Sequence, residues 1–295
     1  MRLSGPNVAA LLVAVVLVWG VNWTVIKVIV SLMPPIWAMG IRAIIAAAAL
    51  FALQAAGRNL SIPTRRDLPA IVIVAVFHMV LFAVFIAIGL QYVSVGRSVV
   101  LGYTTPLWVA PFAWLFLKEP MPPAKILGVL VGLTGLAVLL NPLALDWNDP
   151  QALIGTGVLL LAALSWAVSM LCVRAITWHS TPFQLAPWQN LLASLIMLAA
   201  ARIIEGPLDV EPSWLLAAAT AYNGLVATAF GFWAVTVVNT YYTATTTSLV
   251  MLATPVVGAL SSLIMLGEPI DLPLIIAGGM IIVGIALGTA GKSGR

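Results

Sequence analysis

One pattern of apolar helices is written twice in this chain. Trp19, Asn22, Lys27 and Pro35 recur 147 residues later as Trp166, Ser169, Arg174 and Pro182. Tyr92, Thr105, Pro106, Glu119 and Pro120 recur 149 residues later as Tyr241, Thr254, Pro255, Glu268 and Pro269. A duplication on this scale makes each copy a structural unit that buries its faces against the other. The medium follows from composition. Charged residues are 7% and hydrophobic residues 62% of the 295 positions, whereas a soluble domain carries about 25% charge. A chain this apolar satisfies its backbone in lipid by forming helices, so an all-α polytopic membrane protein is expected.

A spanning helix needs about 20 apolar residues. Ten stretches qualify or nearly so: 7–32, 35–56, 68–92, 97–117, 123–141, 153–175, 182–203, 213–238, 243–266 and 272–290. Pro34-Pro35, Pro63, Pro120 to Pro123, Pro142, Pro182 and Pro269 punctuate the breaks. Arg2 precedes an apolar run too long for a signal core, which is read as the first helix. Residues 1–146 and 147–295 then form two five-helix repeats, together one transport domain. An odd number of spans per repeat turns the second upside down relative to the first.

Basic residues fix the orientation. With the N-terminus in the cytoplasm, Arg2, Arg58, Arg65, Arg66, Lys118, Lys125, Arg174, Lys292 and Arg295 fall inside. Lys27, Arg97 and Arg202 fall outside, and Arg42 lies within a span. This is the positive-inside bias, with both termini cytoplasmic. It accounts for the net charge of +4 without an anionic partner, and no nucleic-acid partner is expected. The single cysteine, Cys172, excludes a disulfide framework or a cysteine metal cluster. No metal or cofactor is expected.

The first helix carries Trp19-Gly20-Val21-Asn22-Trp23, and both halves carry Thr-Pro followed by Glu-Pro (Thr105-Pro106, Glu119-Pro120; Thr254-Pro255, Glu268-Pro269). With ten helices in inverted repeats, these residues resemble the EamA branch of the drug/metabolite transporter superfamily over nearly the whole chain. The run of the sequence is also similar to the bacterial aromatic amino-acid exporters of the YddG group. That resemblance implies efflux of phenylalanine, tyrosine, tryptophan and related metabolites across the inner membrane. Periodicity and composition do not read out the substrate.

Candidate substrate contacts follow from depth. At about 1.5 Å per residue, Trp19, Trp166, Trp108, His78 and Asn223 lie near the midplane, where polar side chains turn toward the bundle interior. Trp19, Asn22, Trp23 and Ile26 share one face of the first helix, and Trp166, Ser169, Met170 and Val173 the equivalent face of the sixth. Inverted repeats place the transport site where the halves meet. There a tryptophan face holds a ring by stacking, or an ammonium by cation–π attraction. Helix packing is the alternative for these two rings. Trp37, Trp147, Trp178 and Trp214 read instead as interfacial belts. His78, with Phe82 and Phe85, makes a stripe on the third helix and is the one mid-depth proton carrier; a buried neutral imidazole is the alternative. Ser98 and Tyr103 on the fourth helix, and Asn223 and Phe230 on the eighth, complete the candidates, with Tyr222 nearby. Thr245, Thr246, Thr247 and Ser248 read as a helix entry that bonds back to the backbone.

Pro106 and Pro255 interrupt the fourth and ninth helices at matching positions and are candidate hinges, a static kink being the alternative. Glu119-Pro120 and Glu268-Pro269 read as helix stops, with gating as the other reading. Arg42 and Lys27 are expected to snorkel outward or line an outer vestibule. Gly128 and Gly132, and Gly284 and Gly288, mark helix packing or a dimer face, so monomer and homodimer both stay open.

No acid lies at a span centre, which favours facilitated, gradient-driven export by alternating access over proton antiport. Enzyme motifs such as H-E-x-x-H, a serine elbow or a phosphate loop are missing from the sequence. A channel would need a filter or charged ring. A nucleotide-sugar or drug carrier is the alternative within transporters, and it would require several mid-depth cations.

Overall fold

In a computed structural model, the described residues are 5–140, 149–176, 178–242, 247 and 250–290. The helices run α1 Gly5–Leu32, α2 Pro35–Ala56, α3 Leu68–Tyr92, α4 Val95–Leu117, α5 Pro123–Leu140, α6 Pro150–Ala175, α7 Pro182–Ile204, α8 Trp214–Tyr241, α9 Thr254–Leu266 and α10 Leu272–Ala290. The first eight are long and apolar enough to cross a membrane; α9 and α10 are two further apolar helices. The expected repeat junction at 146/147 lies outside the described residues, as do Thr245, Thr246, Ser248, Trp147, Asp146 and the terminal basic residues.

Helix ends are set by local chemistry. Asp149 accepts from the N–H groups of Gln151 and Ala152, so α6 starts at Pro150 rather than 153. Thr181 and Gln184 form a capping box on α7. Ser213 accepts from Leu216 N–H and opens α8. The start of α2 is capped from a distance: both carboxylate oxygens of Glu205, at the end of α7, accept from Ile36 and Trp37 N–H at 2.9 Å. That acid satisfies orphan donors and complements the helix dipole.

Two stretches depart from α geometry in a way nothing in the sequence announces. Val74–Phe82 within α3 and Tyr222–Phe230 within α8 are wound as π-helix. The wider winding leaves carbonyls for side chains to take. Phe77 O accepts from Ser165 Oγ of α6 at 2.6 Å. Ala227 O accepts from Trp19 Nε1 of α1 at 2.8 Å. Thr228 Oγ1 donates to Asn223 O at 2.7 Å. Such bulges concentrate at functional sites.

The fourth helix stops and restarts rather than bending. Val95–Gly102 ends at a turn through Tyr103 and Thr104, and a new segment begins at Thr105 with Pro106 in its first turn. In the same manner α9 starts at Thr254 with Pro255 in its first turn, after a turn through Leu252 and Ala253. This corrects the expected kink in a continuous helix. Proline has no N–H to lose at a first turn, so both residues sit without strain.

Packing is reciprocal. α1 lies against α8 and α9, and α6 lies against α3 and α4; α2 pairs with α7 and α5 with α10. A Cβ on Gly128 would sit 2.4 Å from Gly284 O, and one on Gly284 would sit 2.5 Å from Gly128 O. The glycine pairs are therefore used within the chain, for the close crossing of α5 and α10. Large apolar side chains such as Trp114, Ile203, Trp214 and Ile264 are exposed, as a surface facing lipid requires.

Candidate functional site

A cavity of about 440 Å³ runs into the bundle between α1, α4, α5 and α6 on one side and α8, α10 and the residues Thr247, Met251 and Leu252 ahead of α9 on the other. Trp19, Trp166, Tyr103, Met170 and Pro106 line it, so five of the sequence candidates share one wall system. Thr105, Asn239 and Thr247 add polar atoms, and Lys125 and Arg174 add charge at the end where α5 begins and α6 stops.

The tryptophans hold their places through bonds that explain their depth. Trp19 donates its indole N–H to the π-helical carbonyl described above, and Gly231 provides the room: a Cβ there would lie 2.4 Å from Trp19 Nε1. Trp166 stacks on His78, with ring centroids 5.2 Å apart and an interplanar angle of 8°. Phe82 lies 5.0 Å from Trp166 and 5.6 Å from His78. His78, Phe82 and Trp166 thus form one aromatic cluster, of which Trp166 faces the cavity.

The other candidates sit elsewhere. Asn22 accepts from Asn223 Nδ2 at 3.1 Å, joining α1 to α8. Trp23 is buried in the core, 6.5 Å from Tyr103 by ring centroid, and Gly102 leaves it space, since a Cβ there would lie 2.5 Å from its ring. Ser98 and Ser169 are buried. Phe230 packs on Trp233 at 5.7 Å. Pro255 is buried in the first turn of α9. None of these nine, counting His78 and Phe82, is among the cavity's lining residues. Trp108 donates to Thr104 Oγ1 at 3.2 Å and likewise stays outside it.

The two ends of the bundle differ. Away from the cavity, Lys27 donates to Val93 O at 2.9 Å and lies 3.9 Å from Glu268. The second oxygen of Glu268 accepts from Val95 N–H at 2.7 Å. Arg97 meets Asp271 at 3.4 Å. At the cavity end, Glu119 lies 3.2 Å from Arg174 and 3.8 Å from Lys125. The duplicated Glu-Pro acids therefore hold the duplicated cations Lys27 and Arg174, each pair joining a fourth-type helix end to a first-type helix of the other half. Sequence reasoning placed Lys125 and Arg174 only as topology markers and missed their place at the cavity. The offset that relates Arg174 to Lys27 was the available signal.

Among the described residues, no group of three or more His, Cys, Asp or Glu could hold a metal ion. Each described acid sits at a helix end or in a connection.

Helices that span lipid, crossed around an interior cavity with aromatic walls, define an integral membrane protein built for passage of small molecules. The chain belongs to the EamA-like transporter family, whose model matches residues 7–141 and again 153–289. It is 26% identical over 278 residues to the uncharacterized transporter YoaV of Bacillus subtilis (strain 168), covering 94% of this chain and 95% of that one. It is 24% identical over 276 residues to an uncharacterized transporter of Archaeoglobus fulgidus, covering 90% and 93%. Protein PagO of Salmonella typhimurium (strain LT2) is 27% identical over 232 residues, covering 76% of this chain and 74% of that one. A solved crystal structure superposes with a TM-score of 0.66 at 21% identity, covering 99% of this chain and 100% of that one; the likeness is one of fold.

Proposed function

We propose that this transporter exports small metabolites, aromatic and other neutral amino acids foremost, across the bacterial inner membrane by alternating access between two inverted five-helix halves. The cavity carries the reading. It is deep, mostly apolar, walled by Trp19, Tyr103, Trp166 and Met170, and reaches toward the Lys125–Arg174 end. A site of this kind suits a flat apolar group held by a few polar contacts. The lysine and arginine bias assigns the Lys125–Arg174 end to the cytoplasm, so the cavity faces the side from which a substrate would be exported. The opposite end is tied by Lys27, Glu268 and Val95.

Energy coupling is taken to be the substrate's own gradient, since the described acids all avoid the helix interiors. Proteoliposomes loaded with a panel of amino acids, sugars and nucleotides test this function. Saturable efflux of phenylalanine or tryptophan, without an imposed pH gradient, is the expected result. Efflux of nucleotide sugars alone, or accumulation only under a pH gradient, contradicts it.

A further inference from the structure

Two matching helices in this chain stop in the same way, but on different residues. Thr105–Leu117 closes α4, and its counterpart Thr254–Leu266 is α9. Each ends at a left-handed residue followed by Glu-Pro: Gly267 at φ 69° and ψ 17°, and Lys118 at φ 54° and ψ 29°. In each, the N–H of the acid reaches back to a carbonyl of the last turn, Glu119 to Ala113 O at 3.2 Å and Glu268 to Ser262 O at 3.3 Å. Glycine is the residue this backbone favours, so Lys118 is held at a conformational cost that the second copy avoids. A second difference goes with it: Trp114 stands where the offset of 149 places Leu263.

Lys118 gains nothing from the protein in return. The described ion pairs engage Lys27, Arg97, Lys125 and Arg174, and Lys118 is exposed, with neither ion pair nor hydrogen bond among the described residues. Its neighbour Glu119 is taken by Arg174 at 3.2 Å and Lys125 at 3.8 Å, so positive charge is in excess at this helix end. A cation that only complements a helix C-terminus, or only marks the cytoplasmic side, fits in the last turn or the following loop and needs no left-handed backbone.

Beside Lys118 lies an open pocket of about 340 Å³, lined by Trp114, Leu115, Lys118, Glu119 and Pro120. It shares no lining residue with the central cavity. Trp114 is 55% and Leu115 59% exposed, and the Trp114 indole N–H has no acceptor among the described residues. An exposed apolar wall thus leads to an indole and, where the helix ends, to an unspent ammonium. Tryptophan sits by preference at headgroup level. The lysine and arginine bias assigns this end to the cytoplasm, whose leaflet is the one rich in acidic lipid.

We propose that Trp114, Leu115 and Lys118 form a binding site for an acidic phospholipid. The Lys118 ammonium takes the phosphodiester, the Trp114 N–H takes the glycerol ester region, and an acyl chain lies along Trp114 and Leu115. The matching end at Leu263 and Gly267 lacks both polar groups and is not such a site. The site is independent of what the central cavity carries.

The test follows thermal unfolding of purified full-length protein in a neutral detergent, with dioctanoyl phosphatidylglycerol, dioctanoyl phosphatidylcholine or inorganic phosphate added. Phosphatidylglycerol should reach half of its full stabilisation at a mole fraction about 5-fold below that of phosphatidylcholine, the factor that corresponds to one basic residue at an anionic lipid surface. Phosphate should have no effect. Lys118→Gln should remove the preference. Lys118→Gly restores the residue of the matching cap, so it should unfold no lower than the wild type without lipid and lose the preference as well. Arg66→Gln, a change to an exposed cation of the connection between α2 and α3, should keep it. A wild type without the preference, or a preference that survives Lys118→Gln or Lys118→Gly, overturns the site. An equal loss in Arg66→Gln overturns it in favour of diffuse surface charge, and stabilisation by phosphate overturns it in favour of a free-anion site.

Discussion

Trp166 and Trp19 occupy corresponding places in the sequence but are held by different forces. Trp166 is kept by stacking on His78, Trp19 by its indole hydrogen bond to Ala227 O. Trp166→Ala should lower the efflux of aromatic substrates about tenfold, in line with the 0.5–2 kcal/mol of an aromatic or cation–π contact, while the protein still inserts. Trp19→Phe keeps a ring and loses the bond; it should retain more transport than Trp19→Ala. Wild-type flux in both alanine variants contradicts the cavity assignment. Just before α3, buried Asp67 ties two connections together, accepting from Thr64 N–H and Oγ1 and from Ser180 N–H and Oγ. The Thr64 hydroxyl foremost, then the Thr64 and Ser180 backbone groups, hold its carboxyl below the usual carboxylate range. A folded-state pKa below the unfolded one makes this stabilisation full above the ordinary value of about 3.9 and lost as pH falls through the lower folded value. Asp67→Asn should lower the melting temperature at neutral pH and shrink its fall on acidification; identical acid profiles for the two proteins would contradict this.

Elements show where the sequence speaks and where it is silent. Eight of the ten expected spans are helices long and apolar enough to cross a membrane, legible because hydropathy and proline mark them, and the matching breaks before Thr105-Pro106 and Thr254-Pro255 were legible because proline is discrete. Their form was not: a proline in an apolar run reads the same whether it bends a helix or begins one. The π-helical stretches left no mark, since their winding is stabilised by partners on other helices, Ser165 for Phe77 and Trp19 for Ala227. For the same reason the sequence does not separate Asn22, His78 and Asn223 from the cavity wall: position along a span is a property of one helix, and lining depends on how several cross. The glycines of α5 and α10 were legible as a contact but not as to which partner they meet. Gly128→Ala should destabilise the protein by about 1–3 kcal/mol, the range for overpacking, because its Cβ would meet backbone, Gly284 O at 2.4 Å. Gly157→Ala, which meets nothing within 4 Å, is the control and should leave thermal unfolding unchanged or slightly raised. A Gly128→Ala protein as stable as the control would show that the crossing can relax.

On the scale of the whole molecule, the alternating access proposed above makes entry to the cavity an equilibrium between states separated by a few kcal/mol, and the duplicated ion pairs sit at the two ends of the bundle. Glu268→Gln removes the charge that faces Lys27 and weakens the acceptor for Val95 N–H. It should shift the population toward opening at that end, seen as faster modification of Ser98→Cys, a position fully buried in this state. The central claim is an aromatic-walled cavity that binds substrate and faces the side of the N-terminus. It is tested most directly by replacing Cys172, the single native cysteine, with serine, placing a cysteine at Met170, and adding a membrane-impermeant maleimide to oriented vesicles. The account predicts labelling from the N-terminal side, slowed by phenylalanine. Labelling only from the opposite side, or a rate indifferent to every substrate in the panel, would contradict it.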